Sequence, residues 1–133
     1  MKKLFSLFLC LLVLTGCEGK PLPAGMEERA VLDAGRQVVI ALTKGEFEVV
    51  AEQFREDIRE TIDAGQIEKL LESAAGKSGA YKELTDSMVT GRESGGVEHA
   101  VAVFWARYEK DNVLFEVAFD TDMALIGLRI EKK

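Results

Sequence analysis

The sequence has 133 residues, of which 17 are Lys or Arg and 23 are Asp or Glu, so its formal net charge at pH 7 is −6. This acidic excess disfavours a nucleic-acid-binding protein, because such proteins hold phosphate groups with Lys and Arg. It also disfavours electrostatic attachment to anionic lipid headgroups. The length is that of one typical domain.

The chain begins with a segment that has the composition of an export signal. The basic start Met1-Lys2-Lys3 precedes an apolar run from Leu4 to Leu14, and small residues follow that run. This order of basic, apolar and small residues is typical of a secretory signal peptide. The apolar run is too short to span a bilayer as a helix. We therefore predict a cleaved leader over residues 1–16.

The end of the predicted leader, Leu14-Thr15-Gly16-Cys17, resembles the lipobox of bacterial lipoproteins. The resemblance implies that the Cys17 thiol receives a diacylglycerol and that Cys17 becomes the new N-terminus. The protein would then be exported and held on the extracytoplasmic face of a membrane. The alternative is an ordinary cleaved signal with an unmodified Cys17. Glu18 does not distinguish the inner membrane from the outer one, so both stay open.

Removal of the leader changes the charge and the thiol content. The loss of Lys2 and Lys3 leaves 15 basic residues against 23 acidic ones, a net charge of −8. Cys10 is lost with the leader, and lipidation consumes the thiol of Cys17. The folded part then has no thiol, which excludes a disulfide, a thiol nucleophile and a cysteine-based metal site.

The segment after Cys17 predicts a short tether. Residues 18–25 contain both prolines of the chain and two glycines, which favour an irregular linker. We therefore divide the chain into a leader at residues 1–16, a lipidated tether at 17–25 and one domain at 26–133.

Three helices are predicted at the start of this domain, because apolar residues recur there at helical spacing. The first ends at Gly45, and the third begins at Asp63, which forms a capping-box pattern with Gln66 and is followed by Gly76 at the helix end. Residues 56–62 show no clear period. The three apolar faces are Val31, Ala34, Val38 and Leu42; Phe47, Val50 and Phe54; and Ile67, Leu70, Leu71 and Ala74.

After Gly79 the period changes to that of strands. The predicted strands are Tyr81–Thr90, Val97–Glu109, Val113–Phe119 and Ala124–Ile130, with turns at Gly91–Gly96 and Asp111–Asn112. Small Ala residues on one face of the second strand permit close approach of a helix. In the last strand, Ala124, Ile126, Leu128 and Ile130 are predicted to share a face. Helices followed by antiparallel strands predict an α+β fold, with three N-terminal helices packed on a curved four-stranded antiparallel sheet.

Three segments together resemble the bacterial domain of unknown function 3887: Ala41–Val50, Gly79–Lys82 and Leu125–Ile130. The resemblance covers nearly the whole mature chain. It implies membership of the nuclear transport factor 2-like superfamily, in which helices and a strongly curved sheet form a cone, often with an internal cavity. The family occurs in secreted and lipid-anchored proteins, and it implies no catalytic residue.

Four side chains are candidates for lining a cavity: Tyr81, His99, Trp105 and Arg107. Aromatic residues at strand spacing are also typical of a plain core, and Arg107 also fits a solvent position. His99 is the only histidine, and it suits either a general base or an ordinary strand position. It has no second histidine or cysteine near it, so no metal site and no cofactor are predicted.

These observations predict a lipid-anchored, non-enzymatic module that binds a small molecule or a protein of the cell envelope. One alternative is a cavity enzyme of the ketosteroid-isomerase or dehydratase kind, which pairs a carboxylate with a tyrosine. Asp33 and Asp86 are available carboxylates, but the first predicted helix carries no tyrosine. The other alternative is a dimerisation module, in which two copies form a homodimer through their sheets.

Overall fold

The computed structural model describes residues 20–133; the predicted leader and Cys17 lie outside them. Within this part of the chain, the elements in order are α1 (Glu28–Thr43), α2 (Phe47–Gln53), α3 (Glu56–Arg59), α4 (Ala64–Ala75), β1 (Tyr81–Ser94), β2 (Val97–Tyr108), β3 (Asn112–Phe119) and β4 (Leu125–Lys132). The strands form one antiparallel sheet in the order β1-β2-β3-β4. The predicted α+β fold is thus confirmed. None of the helices in residues 20–133 is long and apolar enough to cross a membrane.

The three predicted helices are α1, α2 and α4, and residues 56–59, which showed no clear period, form the one-turn helix α3. The capping box at the start of α4 is present as predicted. The Gln66 amide donates to the Asp63 carboxylate over 2.9 Å, and the Asp63 amide donates to the Gln66 side chain over 2.9 Å. Two amides that the helix itself cannot satisfy are thereby paired.

Helix α1 lies very close to β2 at Gly35. A Cβ atom at this position would come within 2.8 Å of the Ala102 Cβ and within 2.9 Å of the Phe104 ring. Ala100, Ala102, Phe104 and Gly35 are all buried. The small residues of β2 therefore allow a helix to lie close to the strand, as the sequence predicted.

The two faces of the sheet differ. On the helix-covered face, one apolar core joins residues of α1, α2 and α4 to alternate residues of all four strands, with Phe104 and Phe115 fully buried at its centre. On the other face, called the open face here, Val101, Val103 and Leu114 form a smaller cluster with Trp105 and Ala118. No helix or strand within residues 20–133 covers this second cluster.

The turns and the last strand correct the predictions in detail. β1 continues to Ser94, so the first turn is only Gly95-Gly96, whose φ angles of 57° and 82° suit the twist of a tight hairpin. The second turn falls at 109–111, because Asn112 already pairs with Arg107. In β4, a bulge pairs Leu125 with Phe119, which brings Leu125 into the core in place of Ile126.

Part of the predicted tether lies against the sheet. Lys20 forms an antiparallel bridge to Gly91, whose amide donates to the Lys20 carbonyl over 3.0 Å. The Lys20 amide lies 3.3 Å from the Thr90 hydroxyl. A Cβ at residue 91 would collide with the Pro21 carbonyl oxygen. The sequence predicted that the domain starts at Met26. The packed structure already includes Lys20, six residues earlier.

Asp120 joins the β3–β4 turn to the segment between α2 and α3. One carboxylate oxygen accepts the amides of Asp122 and Ala124, both over 2.9 Å, and the other accepts Arg55 over 3.2 Å. Burial acts to raise the pKa of Asp120, but these hydrogen bonds and the Arg55 charge outweigh it and lower the pKa below the ordinary value of 3.8. The hydrogen bond from Arg55 likewise lowers the pKa of Asp57.

Gly35→Ala is expected to destabilise the protein by about 1–3 kcal/mol, because the added methyl group overpacks the contact with β2. Alanine favours an exposed helix by about 1 kcal/mol over glycine, so the sign of the effect tests the contact itself. Urea denaturation measures it. Gly65→Ala, at an exposed position of α4, is the matched control and should be at least as stable as the wild type, because it gains the helix preference of alanine without a contact to the sheet. A Gly35→Ala protein as stable as the wild type would contradict the contact.

Asp120 should contribute to acid sensitivity. Because its folded pKa is lowered, the stability that it contributes is present above its unfolded pKa and is lost as the pH falls through the folded value. Urea midpoints between about pH 2.5 and pH 7 measure this loss. In Asp120→Asn the drop below about pH 4 should be smaller, with lower stability at neutral pH. Asp122→Asn, in the same turn, should keep the wild-type profile; identical profiles for all three proteins would refute the assignment.

Candidate functional site

A pocket of about 310 Å³ opens between the helices and one end of the sheet. Four helical residues, Glu68, Leu71, Glu72 and Ala75, form one stripe of α4 along its wall, since residues three and four apart share a helix face. Thr43 of α1, Phe47 of α2, two glycines at and after the end of α4 and two tyrosines of the sheet complete the wall. The lining residues are Thr43, Phe47, Glu68, Leu71, Glu72, Ala75, Gly76, Gly79, Tyr81 and Tyr108.

Tyr81 and Tyr108 form the sheet side of this pocket, called the tyrosine pocket here. They are directly opposite each other in β1 and β2, and their rings meet edge to face with centroids 5.7 Å apart. Burial raises the pKa of both phenols. The negative charge of Glu83 raises the pKa of Tyr81 further, and the neighbouring Tyr81 does the same for Tyr108. Both hydroxyls are therefore protonated at neutral pH and can donate a hydrogen bond.

The loop before β1 holds the rim of the tyrosine pocket in place. The buried Ser78 donates its hydroxyl to the Asp111 carboxylate over 2.9 Å, and the Ser78 carbonyl accepts the Lys110 amide over 2.8 Å. The Ala80 carbonyl accepts the Glu109 amide over 2.8 Å. The β2–β3 turn and the loop thus fix each other, and with them the position of Tyr81.

The four predicted cavity residues do not come together. Tyr81 lines the tyrosine pocket, whereas His99, Trp105 and Arg107 lie on the open face of β2. Arg107 is exposed and pairs with Glu83 over 2.9 Å, and Trp105 packs on the apolar cluster of that face. His99 is half-buried, with its ring 3.5 Å from the Val97 carbonyl. The strand alternation was predicted correctly, but the helices cover the opposite face to His99.

The helical part of the pocket was missed from the sequence. Phe47 was interpreted only as part of an apolar helix face, and Glu68 and Glu72 were not singled out. A signal was present, because Glu68 and Glu72 are one turn apart beside the apolar residues of α4. What the spacing could not show is that this edge of α4 meets the tyrosine pair of the sheet.

The open face carries one nearly buried carboxylate. Glu116 accepts Arg92 on one oxygen and Arg129 on the other, each over 2.9 Å, and Arg129 also binds Glu131 over 2.7 Å. The side chain of Glu116 is only 10% exposed. Two arginines on one buried carboxylate satisfy its charge fully, so this cluster is explained as part of the fold of the sheet.

The other acidic candidates give no catalytic arrangement within residues 20–133. Asp33 is exposed and pairs with Arg36 over 3.4 Å, and Asp86 is exposed on β1. No group of three or more His, Cys, Asp and Glu side chains that could hold a metal ion occurs in this part of the chain. Every buried side-chain nitrogen or oxygen there has a hydrogen-bond partner.

Comparison with solved structures shows a similar fold in one other protein. The NMR structure of a protein from Ruminococcus gnavus ATCC 29149 aligns with a TM-score of 0.68 and 21% sequence identity, over 82% of this chain and 95% of that one. A search of curated proteins gave no match. Residues 36–128 match the family described as "Protein of unknown function (DUF3887)". This match spans most of the chain and includes α2 to α4 and β1 to β3 completely and α1 and β4 in part, so the protein belongs to the DUF3887 family.

Proposed function

We propose that this protein is a lipid-anchored, extracytoplasmic module that binds a small ligand in the tyrosine pocket and catalyses no reaction. The observation that carries the proposal is the pocket itself, which is lined by two tyrosines, a phenylalanine and two glutamates. The lipobox-like segment ending at Cys17 supplies the location.

We infer that the fold is the cone of the nuclear transport factor 2-like superfamily. Support comes from the helices, which all lie on one face of the sheet. Further support comes from the register shifts, two in β1 and one between β3 and β4, since bulges bend and twist strands. In such a cone the tyrosine pocket is the wide mouth between the helices and the sheet.

A binding role is favoured over catalysis by the interior of the fold. A cavity enzyme of the isomerase kind needs an enclosed carboxylate that faces its tyrosine. Here the space between helices and sheet is filled by apolar side chains such as Leu42, Ile67 and Phe104. The two carboxylates of the tyrosine pocket, on Glu68 and Glu72, are on exposed residues.

The lining favours a compact organic cation with an apolar part. Phe47, Tyr81 and Tyr108 present aromatic surfaces, which attract cations through their quadrupoles. Glu68 and Glu72 add negative charge, and none of the residues that line this pocket, all of them within the described part of the chain, is Lys or Arg. An anionic ligand would meet two carboxylates with no basic partner.

The open face gives little support for a homodimer. Val101, Val103 and Leu114 are 2%, 6% and 8% exposed even in the single chain, because the side chains around them already cover them. A second copy on this face would therefore remove little additional apolar surface from water. Homodimer formation stays a prediction that the geometry of this face does not favour.

Cys17→Ser should move the protein from the membrane fraction to the soluble fraction. Two acyl chains, at about 0.8 kcal/mol per buried methylene, hold a protein durably, whereas this acidic domain has little else to bind a bilayer. Cell fractionation with and without detergent measures the change. Cys10→Ser, within the predicted leader, is the control and should stay in the membrane fraction. Retention of Cys17→Ser in membranes without detergent would refute the anchor.

Benzylamine, benzyl alcohol and benzoate form a series of similar shape that carries a positive, zero and negative charge. We expect the detergent-solubilised protein to bind benzylamine best and benzoate worst, because only the cation gains from both carboxylates and aromatic rings. Ligand-observed NMR titration gives the three affinities. Equal affinity for all three, or a preference for benzoate, would contradict the proposed ligand class.

The double variant Glu68→Gln, Glu72→Gln should weaken benzylamine binding by about 3- to 10-fold, as expected for two exposed charge contacts of about 0.3–0.7 kcal/mol each. Benzyl alcohol binding should hardly change. The matched control is Glu28→Gln, Glu52→Gln, which neutralises two exposed glutamates away from the tyrosine pocket. If the control weakens benzylamine equally, the effect is one of overall charge and the pocket is not the site.

A further inference from the structure

The first described residues fix the direction in which the chain enters the domain. Lys20 pairs with Gly91 as an antiparallel bridge. Since β1 runs from Tyr81 toward its turn with β2, an antiparallel partner runs the other way. The N-terminal side of Lys20 therefore faces the Gly95-Gly96 turn, and the C-terminal side faces the start of β1.

The β1–β2 hairpin extends beyond the rest of the sheet at this end. Ala100 is the last residue of β2 that pairs with β3, opposite Phe119. Beyond this pair, Arg92 to Ser94 of β1 pair only with Val97 to His99 of β2, and these residues form a two-stranded ribbon that ends at the turn. Val97, beside the turn, is 59% exposed. The ribbon, called the hairpin tip here, is the part of the sheet that projects furthest on the side where the chain enters.

The anchor and the hairpin tip are close because the connecting chain is short. Cys17 is three residues before Lys20, and three extended residues span at most about 11 Å. The tyrosine pocket is at the other end of β1. Gly91 is ten positions after Tyr81, which corresponds to roughly 30 Å along a strand.

The geometry points to a defined orientation on the bilayer: the hairpin tip rests at the membrane surface, and the tyrosine pocket opens away from it. This inference rests on the lipid anchor of the proposed function. A tether that was free up to Gly25 would let the domain tumble, whereas the bridge at Gly91 and the contact of Thr90 with Lys20 hold the chain to the hairpin. The ligand would then reach the pocket from the aqueous side, without crossing the lipid headgroups.

Single cysteines can test this orientation, because no free thiol is expected in the mature lipidated protein. Glu98→Cys places a label on the hairpin tip, and Lys110→Cys places one in the β2–β3 turn beside the tyrosine pocket; both positions are exposed. Each lipidated protein is reconstituted into phosphatidylcholine liposomes, and the fluorescence of the label is quenched by a headgroup nitroxide lipid.

We expect several-fold stronger quenching at residue 98 than at residue 110. Equal quenching at both sites, or stronger quenching at residue 110, in protein that floats with the liposomes would overturn the orientation and leave the anchor intact. Protein that does not float with the liposomes would refute the anchor, and the orientation with it.

Gly91→Ala in both labelled backgrounds tests whether the bridge between Lys20 and Gly91 sets the orientation. The added Cβ collides with the Pro21 carbonyl, so the Lys20 bridge should open and the contrast between the two labels should fall. Circular dichroism checks that the domain is still folded. If this folded variant keeps the full contrast, the bridge at Gly91 does not set the orientation.

Discussion

The close contact of α1 with β2 at Gly35 is the constraint on which the rest of the structure depends. It lets the first helix lie directly on the second strand, with Ala102 and Phe104 against its backbone. Since α1 also packs against β1 and β3, its position decides where the other helices can lie. Any larger side chain at residue 35 would lift the helix from the sheet and open the core around Phe104.

The fold separates two ends of the sheet that have different chemistry. At one end, the entering chain is bound to β1 at Gly91, and the hairpin tip projects beyond β3. At the other end, the tyrosine pair, the loop at Ser78 and the β2–β3 turn support the pocket. The long strands β1 and β2 connect both ends, so the proposed lipid tether at one end would also set the direction in which the other end faces.

The sequence was a good guide wherever short-range spacing decides the outcome. The capping box at Asp63, the end of α1 before Gly45 and the alternation along β2 all follow from local geometry, and all three are present. Prediction failed at Leu125, because a bulge shifts the period of a strand by one residue and nothing in the apolar pattern marks it. It also failed for the extent of β1, because a glycine-rich segment suits both a long loop and the end of a strand with a two-residue turn.

For the candidate site too, local spacing predicted some features and tertiary contacts decided the others. By itself, the sequence determined that Trp105 shares a face with His99 and Arg107 and that Tyr108 faces the other way, because strand alternation is a property of the backbone. Only the tertiary structure decided which of these two faces the helices cover, since both carry apolar side chains that can be buried. That choice placed Tyr81 and Tyr108 beside Glu68 and Glu72 of α4, across a separation in sequence that no local pattern can bridge. The predicted lipid attachment at Cys17, in contrast, depends on the sequence alone, whereas the orientation that we propose for the attached domain depends on the contact between Lys20 and Gly91, which only the tertiary structure shows.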